Sequence, residues 1–173
     1  MMVKAVRVML EPNNVQQTKM FQYAGAARFA YNWALAKEKD NYEKGGKFIS
    51  DSELRKEFTR LRNSDEYAWL QNVSNNVTKQ AIKDACIAYK NFFKSLQKYP
   101  KFKSKKKSTP KFYQDNIKIQ FSDTHVKFEG FSSSRKANKQ KLNWVRLAEH
   151  GRIPTDAKYM NPRISFDGLN WWI

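Results

Sequence analysis

The chain has 173 residues, 40% of them apolar and 14% aromatic, which suffices for one ordinary domain or two small ones around a packed core. Its 33 Lys and Arg against 16 Asp and Glu leave a formal charge of +17 and a pI near 9.9, a balance foreign to an ordinary metabolic enzyme and one that calls for an anionic partner to screen self-repulsion. No apolar run approaches the roughly 18 residues of a spanning helix, the N-terminus has no signal-peptide core, and the single Cys86 excludes an intrachain disulfide framework. A cytoplasmic nucleic-acid binder without a membrane role is the expectation. His125 and His150 lie in different segments with no second cysteine to complete a zinc set, so metal binding is not expected.

In chain order, residues 3–10 (VKAVRVML) alternate as a strand does, and Pro12 stops it. Asn13 and Asn14 are N-cap candidates for a helix from Val15 to Ala24, which carries Met20 and Phe21. Gly25 reads as a break or a close approach of two backbones. A second helix follows from Ala26 to Tyr42 with Phe29, Trp33, Leu35 and Ala36 inward, ended by Gly45 and Gly46. Ser50 and Glu53 have the spacing of a capping box, opening a third helix from Asp51 to Arg62 with Leu54, Phe58 and Leu61 inward. Trp69 and Leu70 anchor the link to the fourth.

That fourth helix has two faces. Val73, Val77, Ala81, Ala85, Ala88, Tyr89, Phe92 and Leu96 recur at three- and four-residue steps and want a core, with Cys86 as a small buried hydrophobe among them. Asn75, Asn76, Lys79, Lys83, Lys90 and Lys94 occupy the other side, with Ser74 as N-cap. The chain then reads KYPKFKSKKKSTPK, seven lysines and no acid from Lys98 to Lys111. Charge runs are usually solvated tails. Here Tyr99, Phe102, Phe112 and Tyr113 are interleaved, so aromatic faces can stack on bases while Lys98, Lys101, Lys103, Lys105, Lys106, Lys107 and Lys111 neutralise phosphates. Pro100 and Pro110 should keep the run extended.

Beyond Pro110 the period becomes two. Asn116–Phe121 (NIKIQF), His125–Phe131 (HVKFEGF) and Leu142–Leu147 (LNWVRL) read as strands, with a polar insert (SSSRKANKQK) before the last, and PRISF with NWWI reads as a hairpin over Asp167-Gly168. The apolar end, Trp171, Trp172 and Ile173, has two readings. An open edge so apolar invites aggregation and suggests truncation, or the tryptophans fold inward and the strand stops. The carboxylates are scattered, with no triad, phosphate loop or cluster, so no catalytic residue is assigned.

Four stretches together, GAARFAYNWALAKEKDNYE (25–43), EYAWLQNVSNNVTKQAIKDACIAYKNFF (66–93), PKFKSKKKSTPKFYQDNIKI (100–119) and NPRISFDGLNWWI (161–173), resemble the N-terminal half of TnpB, also called OrfB, the transposon-encoded RNA-guided nuclease family ancestral to the type V CRISPR effectors. The resemblance covers essentially the whole chain in the family's order. It implies an α+β fold: a small split β-barrel, the wedge domain, with its first strand in 1–11 and the remainder with the basic crossover in 99–173, and an inserted helical recognition bundle of about four helices in 12–98, helix-turn-helix-like.

The implied partners are guide RNA and target duplex DNA, with oligomeric state unassigned. The implied readers of a transposon-adjacent DNA motif are Asn75, Asn76, Lys79, Phe112, Tyr113, Gln114 and Asn116, types that can pair with base edges, although Asn75 and Asn76 can equally decorate a helix start. Backbone contacts fall to Arg28, Lys83, Lys90, Lys94 and the lysine run, and stacking to Tyr99 and Phe102. Arg28 and Tyr31 face either nucleic acid or a neighbouring helix. The family's cleavage uses a downstream RuvC-like domain whose carboxylates hold divalent metal, Mg²⁺ by expectation. None of this chain's acids can be given that role, so the chain is not expected to be an enzyme by itself or to hold a cofactor. The other functions considered are a stand-alone DNA-binding transcriptional regulator and a structural RNA-binding protein.

Overall fold

In the computed structural model the described residues are 2–131 and 141–173, so the polar insert lies outside them except for its last residue, Lys141. The chain divides into two compact units, one of residues 1–23 with 109–173 and one of residues 24–108. These borders fall inside the first helix and near the end of the basic crossover.

The first unit is built on a curled, seven-stranded, wholly antiparallel sheet. Its strands are β1 (Met9–Glu11), β2 (Lys111–Tyr113), β3 (Gln120–Phe121), β4 (His125–Lys127), β5 (Trp144–Leu147), β6 (Arg163–Phe166) and β7 (Trp171–Trp172), in the order β2-β6-β7-β1-β5-β4-β3. β2 and β3 lie at opposite ends of that order, so among the described residues the small split β-barrel expected is a curled half-barrel. Alternation sorts the side chains. Phe112 opposite Ile164, Leu10 between Leu147 and Trp171, and Val126 opposite Val145 form the inward rows, and all seven are buried. Edge-on rings fill the core: Tyr23 packs on Phe112 and Phe131 at 5.5 and 5.2 Å, and Phe21 on Trp171 at 4.9 Å.

Strand expectations change in several places, HVKFEGF among them, where the ladder is confined to His125–Lys127. β1 is shorter than 3–10, although Val8 and Ile173 exchange two backbone hydrogen bonds beside it, at 2.9 and 3.0 Å. The first half of NIKIQF is a turn, because the Asp115 carboxylate accepts from the Ile117 and Lys118 amides at 2.9 and 3.1 Å and offers that backbone an alternative to a ladder. Lastly, β7 is no edge. It lies between β6 and β1 with Trp171 1% exposed, so the inward reading of that tryptophan holds and the aggregation argument for truncation loses its premise. The Asp167 turn before β7 works as expected. Its carboxylate accepts from the amides of Asn170 and Leu169 and from the Trp172 indole, which together hold its pKa below the usual range.

The second unit is helical. α1 (Asn14–Glu43) enters from the first unit, and α2 (Asp51–Arg62), a 3-10 segment (Asp65–Asn72) and α3 (Asn75–Phe93) follow. The two helices expected on either side of Gly25 are one. At its start the Asn13 side chain accepts from the Gln16 amide while the Gln16 side chain accepts from the Asn13 amide, at 2.9 and 3.0 Å. It ends where Gly45, at φ +74°, lets the Gly45 and Gly46 amides return to Tyr42 and Asn41. Within the unit α1 buries a broad, alanine-rich face (Ala26, Ala27, Ala30, Ala34), while Ala36 faces out.

The capping box at Ser50 and Glu53 is present, and α2 buries Leu54 and Phe58. Phe58 joins a ring cluster with Phe29 and Trp33, and Phe29 also meets Tyr67 and Trp69. α3 buries Val77, Thr78, Ala81, Ile82, Ala85, Cys86 and Tyr89. Burial pushes the Cys86 thiol up to about 12, which keeps it neutral in its apolar setting. Leu96 is 69% exposed, against the expected inward role. The helix has stopped before it, with Ser95 at φ +57° and the Ser95 and Leu96 amides turned back to Phe92 and Asn91.

A Cβ added at Gly25 would meet nothing within 4 Å, so neither a break nor a close approach explains this glycine. Gly25→Ala should therefore raise unfolding free energy by about 0.8–1 kcal/mol, the helix-propensity difference, read by urea denaturation with unchanged far-UV circular dichroism. A loss of stability would overturn the continuous helix.

Candidate nucleic-acid interface

Lysine ammoniums repel one another, so a run of them stays in place only when its backbone is tied down. In the second unit that tie is Asn32 on α1. Its amide donates to the Lys103 carbonyl and accepts from the Lys103 amide, both at 2.8 Å, which mimics one rung of a β-ladder. The Lys103 ammonium lies 3.5 Å from the centroid of the Tyr31 ring, a close cation–π contact, and Tyr31 is buried. Of the two readings for Tyr31, packing is the one seen. Ser104 then turns the chain, its hydroxyl accepting from the Lys107 amide and its carbonyl from the Ser108 amide. The crossover is thus non-helical between its prolines, with one tight turn at 105–107.

Lys98, Lys101, Lys105, Lys106, Lys107 and Lys111 are all exposed, and none of them is in an ion pair among the described residues. Phe102 is exposed as well. Tyr99 is held edge-on against Phe92 and Tyr89, at 5.1 and 5.8 Å, so only part of its ring is open. On α3, Lys83 and Lys90 are exposed, as is Lys94 at its C-cap, and Lys79 is half-buried; Lys90 extends over Phe48 at 4.8 Å. Ser74 caps the helix by accepting from the Asn76 amide at 3.3 Å, which leaves Asn75 and Asn76 half-buried on its first turn, in the same unit as half-buried Arg28.

The remaining expected readers, residues 112–116, belong to the first unit and separate into two kinds. Phe112 is 2% and Gln114 1% exposed. Phe112 lies among Tyr23, Phe128 and Trp171, and the Gln114 side-chain Oε1 accepts from the Glu129 amide at 2.9 Å. Strand alternation turns both inward, so neither presents a side chain to a base. Tyr113 and Asn116 stay accessible and are linked to each other, the Tyr113 hydroxyl donating to the Asn116 side-chain oxygen at 3.1 Å, while that oxygen also takes the Asn161 amide at 2.8 Å. Arg163 stands 5.5 Å from the Tyr113 ring.

The same alternation places basic and aromatic residues on the opposite, outward face of the sheet, which a search for lysine runs does not find. Arg7 covers the Trp172 ring at 4.3 Å and Lys127 approaches Trp144 at 5.8 Å. In HVK and WVRL the outward positions are His125, Lys127, Trp144 and Arg146, legible as one set once the two strands are paired in register.

Exposed lysines outside any ion pair among the described residues, interleaved with aromatic rings on an α+β scaffold, supply the charge and the stacking faces that a nucleic acid requires. Comparison with known proteins shows what kind of protein the chain resembles. Residues 1–47 match the helix-turn-helix domain family of OrfB from IS605; here that stretch is β1 and α1. The Escherichia coli K12 protein named "Putative RNA-guided DNA endonuclease InsQ" is 28% identical over 171 residues, 99% of this chain and 39% of that protein. A Streptomyces pristinaespiralis protein described as an endonuclease of the same kind is 29% identical over 61% of this chain and 26% of its own length. The Salmonella dublin virulence protein VsdF is 27% identical over 60% of this chain and 95% of its own length. These matches support a TnpB/OrfB N-terminal region. The chain spans about two fifths and one quarter of the lengths of the two endonuclease relatives.

If Asn32 holds the crossover, Asn32→Ala should speed limited tryptic cleavage between Lys98 and Lys111 several-fold, while the melting temperature falls by no more than a few degrees. The fragments are identified by mass spectrometry. Equal cleavage in both proteins would show the run to be anchored elsewhere.

Proposed function

We propose that this chain is a nucleic-acid-holding region of a TnpB-like RNA-guided DNA endonuclease, one that binds guide RNA and the guide–target duplex and reads a short DNA motif beside the target. The observation that carries this is the anchored basic crossover, a row of ion-pair-free lysines held by Asn32 in a chain that aligns over 99% of its length with an InsQ relative. In this reading the sheet unit is the wedge and the helical unit the recognition domain. Lys98, Lys101, Lys105, Lys106, Lys107 and Lys111 contact phosphates, Lys83, Lys90, Lys94 and Arg28 extend that surface, and Phe102 and the open part of Tyr99 stack on bases. Asn75, Asn76 and Lys79 at the start of α3, with Tyr113 and Asn116, read the motif, since amides pair bidentately with adenine edges and lysine with guanine.

Cleavage is assigned to no residue of this chain. Among the described residues no three His, Cys, Asp or Glu side chains are grouped to hold a metal ion, and the divalent metal belongs, in this reading, to a nuclease domain. No helix of the described chain is long and apolar enough to cross a membrane.

Two measurements test the proposal. The chain should bind its guide RNA more tightly than duplex DNA of equal length, and tight sequence-specific duplex binding without RNA would favour a stand-alone DNA-binding regulator. Replacing Lys105, Lys106 and Lys107 with alanine should lower the slope of log K against log salt by about 0.7 for each lost contact to single-stranded RNA. An unchanged slope would remove the crossover from the interface.

A further inference from the structure

The outward face of β4 and β5, wholly within the sheet unit, is concave. A cavity of about 910 Å³ opens there, within the roughly 300–1,000 Å³ of small-ligand sites. Strand register builds its floor in two rows. Arg146 lies between Glu11 on β1 and His125 on β4, and Trp144 lies opposite Lys127. Lys141 and Asn143 lead into β5 beside them, and Ser122 and Thr124 close the far side with hydroxyls.

The floor is fixed by a side chain that also lines the cavity. Gln16 on α1 donates to the carbonyls of Leu142 and Trp144 at 3.1 and 2.8 Å, which fixes the backbone from which the indole projects. Three permanent cations, Arg146, Lys127 and Lys141, face one acid, Glu11, whose carboxylate is 3.1 Å from the Arg146 guanidinium. The potential is therefore positive, and His125 registers it: burial, then Arg146, His150 and Lys141, lower its pKa. Its Nδ1 is 2.7 Å from the Thr124 hydroxyl.

A half-buried indole beside cations, rimmed by neutral hydroxyls and amides, suits a flat ring that carries an anionic group. We infer that this cavity takes one unpaired nucleotide of a single strand, with its base stacked on Trp144 and its phosphate against Arg146, Lys127 and Lys141. The nucleotide is unpaired because bases inside a duplex already cover one another's faces. Glu11 competes with the phosphate for Arg146. The inference rests on the nucleic-acid reading above but uses none of the residues in the lysine run.

The test titrates the full chain with short single-stranded oligonucleotides that either carry bases or have abasic positions, in ribo and deoxyribo series, following anisotropy of an end label. Trp144→Ala should weaken binding of the base-bearing strand on the order of 5- to 150-fold, the loss of one base–aromatic stack. It should leave the abasic strand and the salt slope unchanged, and Trp144→Phe should keep most of the affinity. Glu11→Gln should tighten binding by up to about fivefold, because a surface ion pair is released, and Arg146→Ala should weaken both strands. The ribo and deoxyribo arms show which kind of strand supplies the nucleotide. If wild type binds strands but treats base-bearing and abasic ones alike, or if Trp144→Ala with an unchanged melting curve loses nothing, the pocket is overturned while the wider proposal stands. If no strand binds at all, both fall.

Discussion

A three-residue strand, β1, is the constraint on which the sheet unit depends. It accepts β5 on one side and β7 on the other, so residues that begin the chain are held by residues more than a hundred positions later. Leu10 faces both Leu147 and Trp171 and ties the two halves of the sheet into one core. Without β1 the sheet would separate into β2-β6-β7 and β5-β4-β3, each with a newly opened apolar edge. The pocket on β5 depends on the same strand, since Glu11 leaves β1 on the opposite face from Leu10 and meets Arg146.

The helical unit answers a different requirement, which is to present charge without collapsing under it. Its acids are spent locally, as in the Lys37–Glu57, Lys44–Asp40 and Arg55–Asp51 pairs on helix surfaces. Pairs of this kind add little stability in water, and none of them involves a lysine of the crossover. Backbone hydrogen bonds from one asparagine and a cation–π contact with Tyr31 then hold the run by means that do not neutralise it. One buried acid departs from the pattern. Glu38 accepts from the Ile49 amide at 3.3 Å, and burial raises its pKa despite that bond and Lys90.

Much of this was legible in residue order, and the failures have physical causes. Ser50 with Glu53, Gly45 with Gly46, and the Asp167 turn were found because each is a local device whose partners lie within a few residues. The continuous α1 was missed because a glycine costs about 0.8–1 kcal/mol in a helix, a cost that packing along a thirty-residue element absorbs. The Asp115 turn was missed because NIKIQF has strand alternation, and alternation carries no information about a side chain that captures its own backbone. For the interface, the lysine run could be seen as composition, whereas Phe112 and Gln114 could not be told from Tyr113 until the inward phase of β2 was fixed by Ile164. The sheet-face pocket lay in the same blind spot. Trp144 and Lys127 are seventeen residues apart in sequence and become neighbours only through strand register.

The place of β1 at the centre of the sheet also sets the order in which the protein can assemble. As the chain leaves the ribosome, the helical unit is complete once residue 108 has emerged, and its contacts are local enough to form early. β1 has by then been outside longest, yet both of its partners are still unmade. One of its edges can be covered once β5 has emerged, and the other stays bare until Trp172 arrives, the interval when exposed strands are most prone to wrong pairing. Lys4 and Arg7, just ahead of it, carry charge into that interval, as guards flanking an apolar strand do. Any ligand that gathers β4 and β5 before the last turn forms would shorten the wait.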